Sequence, residues 1–536
     1  MASPPPRVRW AIFAGLALAA LALRLPSLGE RPMHTDEAVN GYITGYLLEG
    51  EPYTYDPEDR HGPALYAFAL PVARLAGKSS LADLTETTVR LGPVIAGTLT
   101  ILLFGGLVRQ IGFLPSLGAA VLFAVGPLSV YYHRYFIHEA LFVGVTLGFL
   151  LALWRAVFGG GAVWGAWAGA CAGLMLACKE TAVLHYAAVG LTGFWLWFAT
   201  RGNRKGALRE PPVGGAKNAG RQIAWWRTVV AGCLVMAVVV IVLYTWGGRH
   251  WRGPADLVRA VPQFTARAGG QGHEKPLSYY LALIGGAWPG GIVVGLAIAG
   301  GVVACSSRLR SIALQNEFVS NDGGERSRDA GKEVQVGAGL AAGAWAVYGV
   351  SVALIYSLIP YKTPWLALNL WLPIAVLAGV GALAMFRFVP LAGARWLLVL
   401  AGVASLAALA GDSWFWSVSK PADEQNPYAY AHTSEDLLGL PERVREVTGS
   451  THSRVAVVAA DPWPLPWYLR QFPETGYWQP GNDPGPAEVY ITSIEAAESI
   501  GTRITGWRPE FFGLRPNVLV LLWTNPENPA GSTAHE

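Results

Sequence analysis

Charged residues are scarce in this chain. Asp, Glu, Lys and Arg together make up 14% of its 536 residues, whereas soluble domains carry about 25%. Hydrophobic residues make up 52%, and the mean hydropathy is +0.34. These values exclude an ordinary soluble globular protein and indicate a protein that crosses a membrane many times.

Cysteine is also rare, with four residues in the whole chain. All four lie within or at the ends of apolar segments, which excludes a disulfide framework and argues against a redox or metal role. The net charge is +4, but the Lys and Arg residues lie mostly in short loops between apolar runs. This pattern reports orientation in a membrane and does not indicate a nucleic-acid partner.

The first apolar run covers residues 8–25 and follows Arg7 and Arg9. It is long enough to span a bilayer and has no small-residue cleavage site after it, so it is predicted to be an uncleaved anchor with a cytoplasmic N-terminus. Ten further spans are predicted, at 89–108, 115–132, 136–154, 162–178, 181–200, 228–246, 277–304, 337–358, 363–386 and 391–410. About eleven spans place the C-terminus outside.

Basic residues alternate between the predicted loops, as the positive-inside rule requires. The inner connections contain Arg109, Arg155, the loops 201–227 and 306–336, and Arg387. The two long loops are rich in Gly and charge and are predicted to be flexible connectors. This orientation puts the first outer loop, 26–88, on the extracytoplasmic face of the cell (inner) membrane.

The predicted fold is therefore an all-α polytopic membrane domain over residues 1–411, followed by a small extracytoplasmic α/β domain over 412–536. The first outer loop is predicted to carry interfacial helices, one of them at 63–76. In the C-terminal part, β-rich runs at 455–459, 489–492 and 518–522 alternate with helical pattern at 435–447 and 467–472.

The sequence His34-Thr35-Asp36-Glu37 lies about ten residues after the first span. One interpretation is helix capping, with Thr35 as the N-cap and both acids in the first turn, where the helix dipole favours negative charge. The other is that a carboxylate is held ionised and aimed at a substrate as a general base. The two interpretations are compatible.

Other charged residues fall on the same predicted outer face. Each has a plain structural interpretation, as an interfacial or tight turn with snorkelling side chains. Together, however, they suggest a groove with an acid near its centre and cations around it, which suits sugar transfer from a polyprenyl phosphate. They lie in the stretches Arg134 to Glu139, Lys179-Glu180 and Tyr361-Lys362.

A divalent metal is an open alternative for part of this set, although no tight metal spacing is present. Its ligands would be His34, Asp36, His133, His138 and Glu139.

These residues resemble motifs of the GT-C superfamily of membrane glycosyltransferases, which includes the protein O-mannosyltransferases and the aminoarabinose transferases. The whole chain is more closely similar to an archaeal and bacterial family named for its association with flippase activity in protein glycosylation. The motifs that carry the resemblance are His34 to Ala38, His61-Gly62-Pro63, Arg134 to Glu139, Lys179-Glu180, Tyr361 to Trp365, Tyr428 to Tyr430 and Trp463 to Arg470.

The resemblance implies an inverting hexosyl or pentosyl transferase with a lipid-phosphate donor, and a protein, lipid or glycan acceptor. It maps the acidic base onto Asp36, with Glu37 beside it. The remaining candidates, for binding substrate or lipid phosphate, are His34, His61, Arg134, His138, Glu139, Lys179, Glu180, Tyr361 and Lys362.

Two function classes remain open on the sequence. The first is a transferase with Asp36 as general base, and the second is a non-catalytic, flippase-associated factor that binds lipid-linked glycans during translocation. An ion-coupled transporter is disfavoured, because the hydropathy shows no two-half symmetry and the spans that begin at 89 and 228 offer no polar residues near mid-bilayer.

Overall fold

A computed structural model describes residues 4–201, 225–270, 272–306, 309 and 325–526. The chain forms two compact units. The first comprises Met1–Pro26, Pro52–Ala67 and Pro93–Ser419, and the second comprises Ser27–Glu51, Phe68–Gly92 and Lys420–Glu536. The second unit thus includes two stretches of the predicted first outer loop as well as the C-terminal region.

Fifteen α-helices of eight or more residues are found in the described ranges. They are α1 Pro6–Arg24, α2 Thr35–Leu48, α3 Ala64–Leu75, α4 Glu86–Leu103, α5 Phe113–Val125, α6 Glu139–Arg155, α7 Gly161–Cys178, α8 Ala182–Arg201, α9 Trp225–Tyr244, α10 Gly253–Ala268, α11 Trp288–Cys305, α12 Glu325–Leu358, α13 Ala367–Phe388, α14 Ala392–Trp414 and α15 Leu440–Thr448.

The helical membrane architecture predicted from the sequence is confirmed. Among the described residues, nine helical stretches are long and apolar enough to cross a bilayer. One of them, Glu139–Cys178, has 40 residues and contains both α6 and α7, whereas α5 has only 13 residues. The count of eleven spans stays a prediction. Large apolar side chains such as Phe198, Leu234 and Trp396 are exposed on these helices, as lipid-facing positions require.

The helices of the first unit approach each other closely where small residues face a neighbouring backbone. A Cβ atom added to Gly169 of α7 would lie 2.0 Å from the carbonyl oxygen of Gly232 on α9. One added to Gly381 of α13 would lie 1.9 Å from the carbonyl oxygen of Leu296 on α11. Glycine therefore sets the helix spacing at both contacts, as is common where helices associate in lipid without a hydrophobic driving force.

The helices differ in detail from some of the predicted segments. The span predicted at 277–304 contains a short helix, Tyr279–Gly285, before α11 begins at Trp288. Pro289 lies in the first turn of α11. Proline fits there because the first turn needs no backbone N–H, whereas it would break the hydrogen bonding of a helix that continued from the preceding residues. The connector predicted at 306–336 already contains the start of α12 at Glu325. The rest of that connector, apart from residues 306 and 309, and the connector residues 202–224 lie outside the described ranges.

The second unit contains a five-stranded mixed sheet in the order β2-β1-β3-β5-β4. Its core strand β1 is parallel to β2 and β3, and β5 runs antiparallel to both β3 and β4. The strands are β1 Val455–Val458, β2 Thr475–Trp478, β3 Val489–Ser493, β4 Arg508–Arg515 and β5 Val518–Thr524.

The sequence predicts β1, β3 and β5 because each contains an apolar run. β1 is fully buried, β3 is buried except at its last residue, and β5 is buried at its centre. It misses β2 and β4, whose residues are mostly half-buried or exposed and which lie at the two edges of the sheet. Edge strands carry no continuous apolar pattern, so their sequence resembles loop.

Candidate active site

The candidate site residues fall into two groups, one in each unit. In the second unit, α2 begins at Thr35 and its N-cap is His34, so the prediction of Thr35 as the cap is wrong. Nδ1 of His34 accepts a hydrogen bond of 3.1 Å from the backbone N–H of Asp36. The carboxylate of Glu37 accepts one of 3.1 Å from the backbone N–H of His34. This reciprocal arrangement is a capping box, with histidine in the place that Ser or Thr usually takes.

Glu37 is fully buried, and its carboxylate is held by two arginines. Arg90 donates from Nε to Oε1 at 2.9 Å and from Nη2 to Oε2 at 3.0 Å. Arg31 lies 2.9 Å from Oε2. A bidentate pair with a second guanidinium neutralises the carboxylate and fixes its orientation.

Arg90 also fixes the chain that leads into α2. Its guanidinium donates to the carbonyl oxygens of Leu28 at 2.9 Å, Arg31 at 2.8 Å and Pro32 at 3.2 Å. Sequence reasoning missed this residue. The signal was an arginine at the start of an apolar run, where a charge needs a partner.

Asp36, one residue before the buried Glu37, is exposed to solvent. Burial lowers the pKa of His34, an effect that the neighbouring carboxylates of Asp36 and Glu37 oppose in part. His34 is therefore neutral at pH 7, as its role as a hydrogen-bond acceptor requires.

The first unit brings five candidates together, which we call the Lys179 cluster: His61, His138, Glu139, Lys179 and Glu180. The ammonium of Lys179 forms a buried ion pair with Glu139. Glu180 accepts hydrogen bonds from Tyr55 at 2.8 Å and contacts Nδ1 of His61 at 2.9 Å. The rings of His61 and His138 lie 5.2 Å apart in an edge-to-face arrangement.

The charge of Lys179 depends on its carboxylate partner. Burial lowers the pKa of Lys179, but the carboxylate of Glu139 outweighs it, and the net effect raises that pKa above its usual range. Lys179 is thus a buried cation that its partner carboxylate stabilises.

Lys362 is a second buried lysine, 1% exposed, in the turn that follows α12. Its ammonium donates to the carbonyl oxygens of Lys275 at 3.1 Å and Ile359 at 2.5 Å, and burial lowers its pKa. A buried hydroxyl of the same unit, on Thr363, has no hydrogen-bond partner within the described part of the chain.

Two further candidates have local partners. Arg134 donates from Nη1 to the carbonyl oxygens of Arg24 at 2.7 Å and Pro26 at 2.6 Å, at the end of α1. Tyr361 pairs by its backbone with Glu274, and its ring lies 4.8 Å from that of His273. Both arrangements hold the chain in place.

Metal ligands do not gather in the part of the chain that the structure describes: no three His, Cys, Asp or Glu side chains lie where they could share an ion. His34 and Asp36 belong to the second unit, and His133, His138 and Glu139 to the first.

Comparison with known proteins gives a sequence match and a fold match. Residues 69–211 match the family model of dolichyl-phosphate-mannose-protein mannosyltransferases. No curated protein matches the chain in sequence.

Two solved membrane enzymes resemble the chain over most of its length. ArnT from Cupriavidus metallidurans, solved bound to undecaprenyl phosphate, is 14% identical, with 96% of this chain and 97% of that one covered and a TM-score of 0.62. The oligosaccharyltransferase AglB from Archaeoglobus fulgidus, solved with an inhibitory peptide and a dolichol-phosphate, is 12% identical, with coverages of 94% and 72% and a TM-score of 0.52. In its motifs the chain resembles the GT-C superfamily of membrane glycosyltransferases, and its fold is the one that they share.

Proposed function

We propose that this protein transfers a sugar from a polyprenyl-phosphate donor to an acceptor at the extracytoplasmic face of the membrane, with Asp36 as the general base. The observation that carries the proposal is the contrast between two adjacent carboxylates. Glu37 is buried and neutralised by Arg31 and Arg90, whereas Asp36 is exposed on the same rigid turn. A base needs a free carboxylate in a fixed place, and Asp36 meets both conditions.

In the proposed step, Asp36 removes the proton from the nucleophilic group of the acceptor. The acceptor atom then bonds to the anomeric carbon of the donor on the face opposite the phosphate. The bond between the anomeric carbon and the phosphate oxygen breaks, and its electron pair leaves with the polyprenyl phosphate. The anomeric configuration is inverted, and the proton remains on Asp36 until it passes to water.

We assign Glu37 a positioning role in this step. Its hydrogen bond from the backbone of His34 closes the capping box, and its pair with Arg90 anchors α2. The sequence prediction paired Asp36 and Glu37 as catalytic carboxylates. The burial of Glu37 favours different roles for the two, with Asp36 as the base and Glu37 as a positioning residue.

We assign phosphate binding to the first unit. The ammonium of Lys362 uses two of its three protons on backbone carbonyls, which leaves one for a phosphate oxygen. The hydroxyl of Thr363, which has no hydrogen-bond partner within the described residues, is a further donor of the kind that a buried anion requires. The undecaprenyl phosphate bound by ArnT supports a lipid phosphate as the ligand.

The test is transfer by the purified full-length protein in nanodiscs, with synthetic undecaprenyl-phosphate pentoses and hexoses as donors and an envelope extract as acceptor source. Asp36→Asn is expected to lower turnover at least about 100-fold without changing thermal stability. Glu51→Gln, which removes an exposed carboxylate from the same unit, is the matched control and should leave turnover unchanged.

Full turnover by Asp36→Asn would remove the base role. The alternative of a non-catalytic, flippase-associated factor predicts no transfer by the unmodified protein and lipid translocation in liposomes that survives Asp36→Asn.

The proposed orientation has its own test. In a background in which the four native cysteines are replaced by alanine, a Glu51→Cys variant should react with a membrane-impermeant maleimide in intact cells. Reaction only in inverted membrane vesicles would place the Asp36 segment in the cytoplasm and refute the extracytoplasmic site.

A further inference from the structure

A polar cleft of about 590 Å³ lies in the second unit, apart from the residues discussed so far. Three stretches line it: 420–425 after the last long helix, 432–435 at the start of a short 3-10 helix, and 515–517 at the turn between β4 and β5. Asn517 adopts a positive φ of 63° in that turn, a conformation that Asn tolerates better than most residues. The wall at 515–517 is thus part of the β4–β5 hairpin, and the backbone N–H of Ser434 donates to the carbonyl oxygen of Leu514 in β4 at 3.1 Å, which joins the second wall to the sheet.

Charge in the cleft is mixed. Two cations, Lys420 and Arg515, face three carboxylates, Asp423, Glu424 and Glu435, and amide and hydroxyl groups lie among them. An isoprenoid chain or an apolar peptide would find almost nothing to pack against. A phosphate would meet more negative than positive charge.

A neutral sugar fits such a surface better. Each of its hydroxyls both donates and accepts hydrogen bonds, so it can pair with cations, carboxylates and amides side by side. The lining residues therefore favour a neutral, polyhydroxylated ligand.

Arg515 provides a second observation. Its Nη2 donates to Asp461 at 2.7 Å and to the carbonyl oxygen of Trp463 at 2.6 Å, which fixes the guanidinium. Its Nε is buried and has no hydrogen-bond partner within the described residues. A buried donor without an acceptor is costly, so the protein keeps this guanidinium in place at a cost. Because Arg515 lines the cleft, its guanidinium is a fixed donor for ligand hydroxyl oxygens there.

The wall of the cleft is joined directly to the segment that carries Asp36. His432 lines the cleft, and the next residue, Thr433, donates from its hydroxyl to the carbonyl oxygen of Met33 at 2.6 Å. The backbone N–H of Met33 in turn donates to Tyr468 at 2.8 Å. A ligand held in the cleft is therefore anchored to chain that lies only three residues from the proposed base.

We propose that this cleft binds the sugar units of the acceptor, so that the acceptor of the transfer reaction is a neutral glycan. The proposal rests on the transferase function proposed above and adds the acceptor class to it. Glu435 and Asn517 bind sugar hydroxyls, and the guanidinium of Arg515 donates a hydrogen bond to a further hydroxyl oxygen of the ligand.

Binding can be tested separately from transfer by saturation-transfer NMR with the full-length protein in nanodiscs. The probes are neutral hexasaccharides of mannose, glucose, galactose and arabinose. At least one should bind, and the Glu435→Ala, Asn517→Gly double variant should weaken its binding roughly tenfold, the effect of losing about two hydrogen bonds. Asn517→Gly keeps the positive φ, so the turn is retained.

The control Glu498→Ala, on an exposed site outside the cleft, should bind as the unmodified protein does. Asp36→Asn should also bind normally while losing transfer, which separates failure of the cleft from failure of the base. The proposal is overturned if none of the four hexasaccharides binds, if the double variant binds them unchanged, or if inorganic phosphate displaces them.

Discussion

Arg90 and Glu37 form a doubly hydrogen-bonded ion pair from which solvent is excluded, both side chains being 0% exposed. The pair joins the start of α4 to the first turn of α2 and so decides where Asp36 lies. Two neighbouring carboxylates are thereby given different roles by a third residue that is distant in sequence.

Arg90→Ala should be strongly destabilising. It leaves Glu37 buried with one guanidinium fewer and removes three bonds to backbone carbonyls, so we expect a loss of about 3–5 kcal/mol. The measurement is thermal unfolding in detergent. Arg445→Ala, which breaks a solvent-exposed pair with Glu442, is the control and should change stability by about 0.5 kcal/mol or less. Equal melting temperatures for the two variants would contradict the anchoring role.

The His34 cap should make stability depend on pH. Because burial lowers the pKa of His34 in the folded protein, the unfolded chain binds a proton that the folded one does not as the pH falls below about 6.5. The contribution of neutral His34 to the free energy of unfolding is therefore complete above about pH 6.5. It is lost as the pH falls towards the pKa of His34 in the folded protein.

His34→Asn retains a side-chain acceptor for the cap but has no titrating group. Its melting temperature should equal that of the unmodified protein at pH 7.5 and fall less at pH 5.5. His34→Ala should be less stable at both values, by about 1 kcal/mol. The same loss between pH 7.5 and 5.5 in the Asn variant and the unmodified protein would show that the cap does not titrate.

Glu139→Gln should lower the pKa of Lys179. The carboxylate is what keeps this buried ammonium charged, and burial alone acts in the opposite direction. If the charge of Lys179 takes part in binding the donor phosphate, the alkaline limb of the transfer rate moves to lower pH in the variant. Rates measured between pH 6 and 9.5 give the shift.

A matched variant distinguishes charge from packing at this site. Lys179→Arg keeps the cation, and guanidinium does not deprotonate in this range, so combining it with Glu139→Gln should remove the alkaline limb. An unchanged limb in Glu139→Gln alone would mean that Lys179 does not set the pH dependence.

Gly62→Ala should disturb the Lys179 cluster. A Cβ atom on Gly62 would lie 2.2 Å from the carbonyl oxygen of Ala177, which is backbone and cannot rotate away. We expect a destabilisation of about 1–3 kcal/mol and reduced transfer, because His61 and Pro63 flank the glycine. Gly190→Ala, where a Cβ meets nothing within 4 Å, is the control. A fully stable Gly62→Ala protein would show that the loop 60–63 can shift freely.

The sequence alone determined the class of this protein and the identity of its most informative motif. Long apolar runs with little charge are stable only in the hydrocarbon region of a bilayer, where the backbone must form its hydrogen bonds internally. The helical membrane architecture therefore follows from composition and from the length of these runs. Adjacent acids after the first run similarly predict a helix start, because local dipole and capping effects act within one turn.

Tertiary structure decided which of those acids is free. The capping box distinguishes Glu37 locally as the N3 residue, but the neutralisation of its carboxylate comes from distant Arg90, which lies 53 residues further along the chain. The edge strands β2 and β4 and the polar cleft also depend on tertiary structure. Their residues show no apolar periodicity in the sequence, and they form these features only when segments distant in sequence pack together. Local physics favours particular elements. Their exact ends, their burial and their charge pairing depend on which elements pack together, and that is set by contacts between residues far apart in sequence.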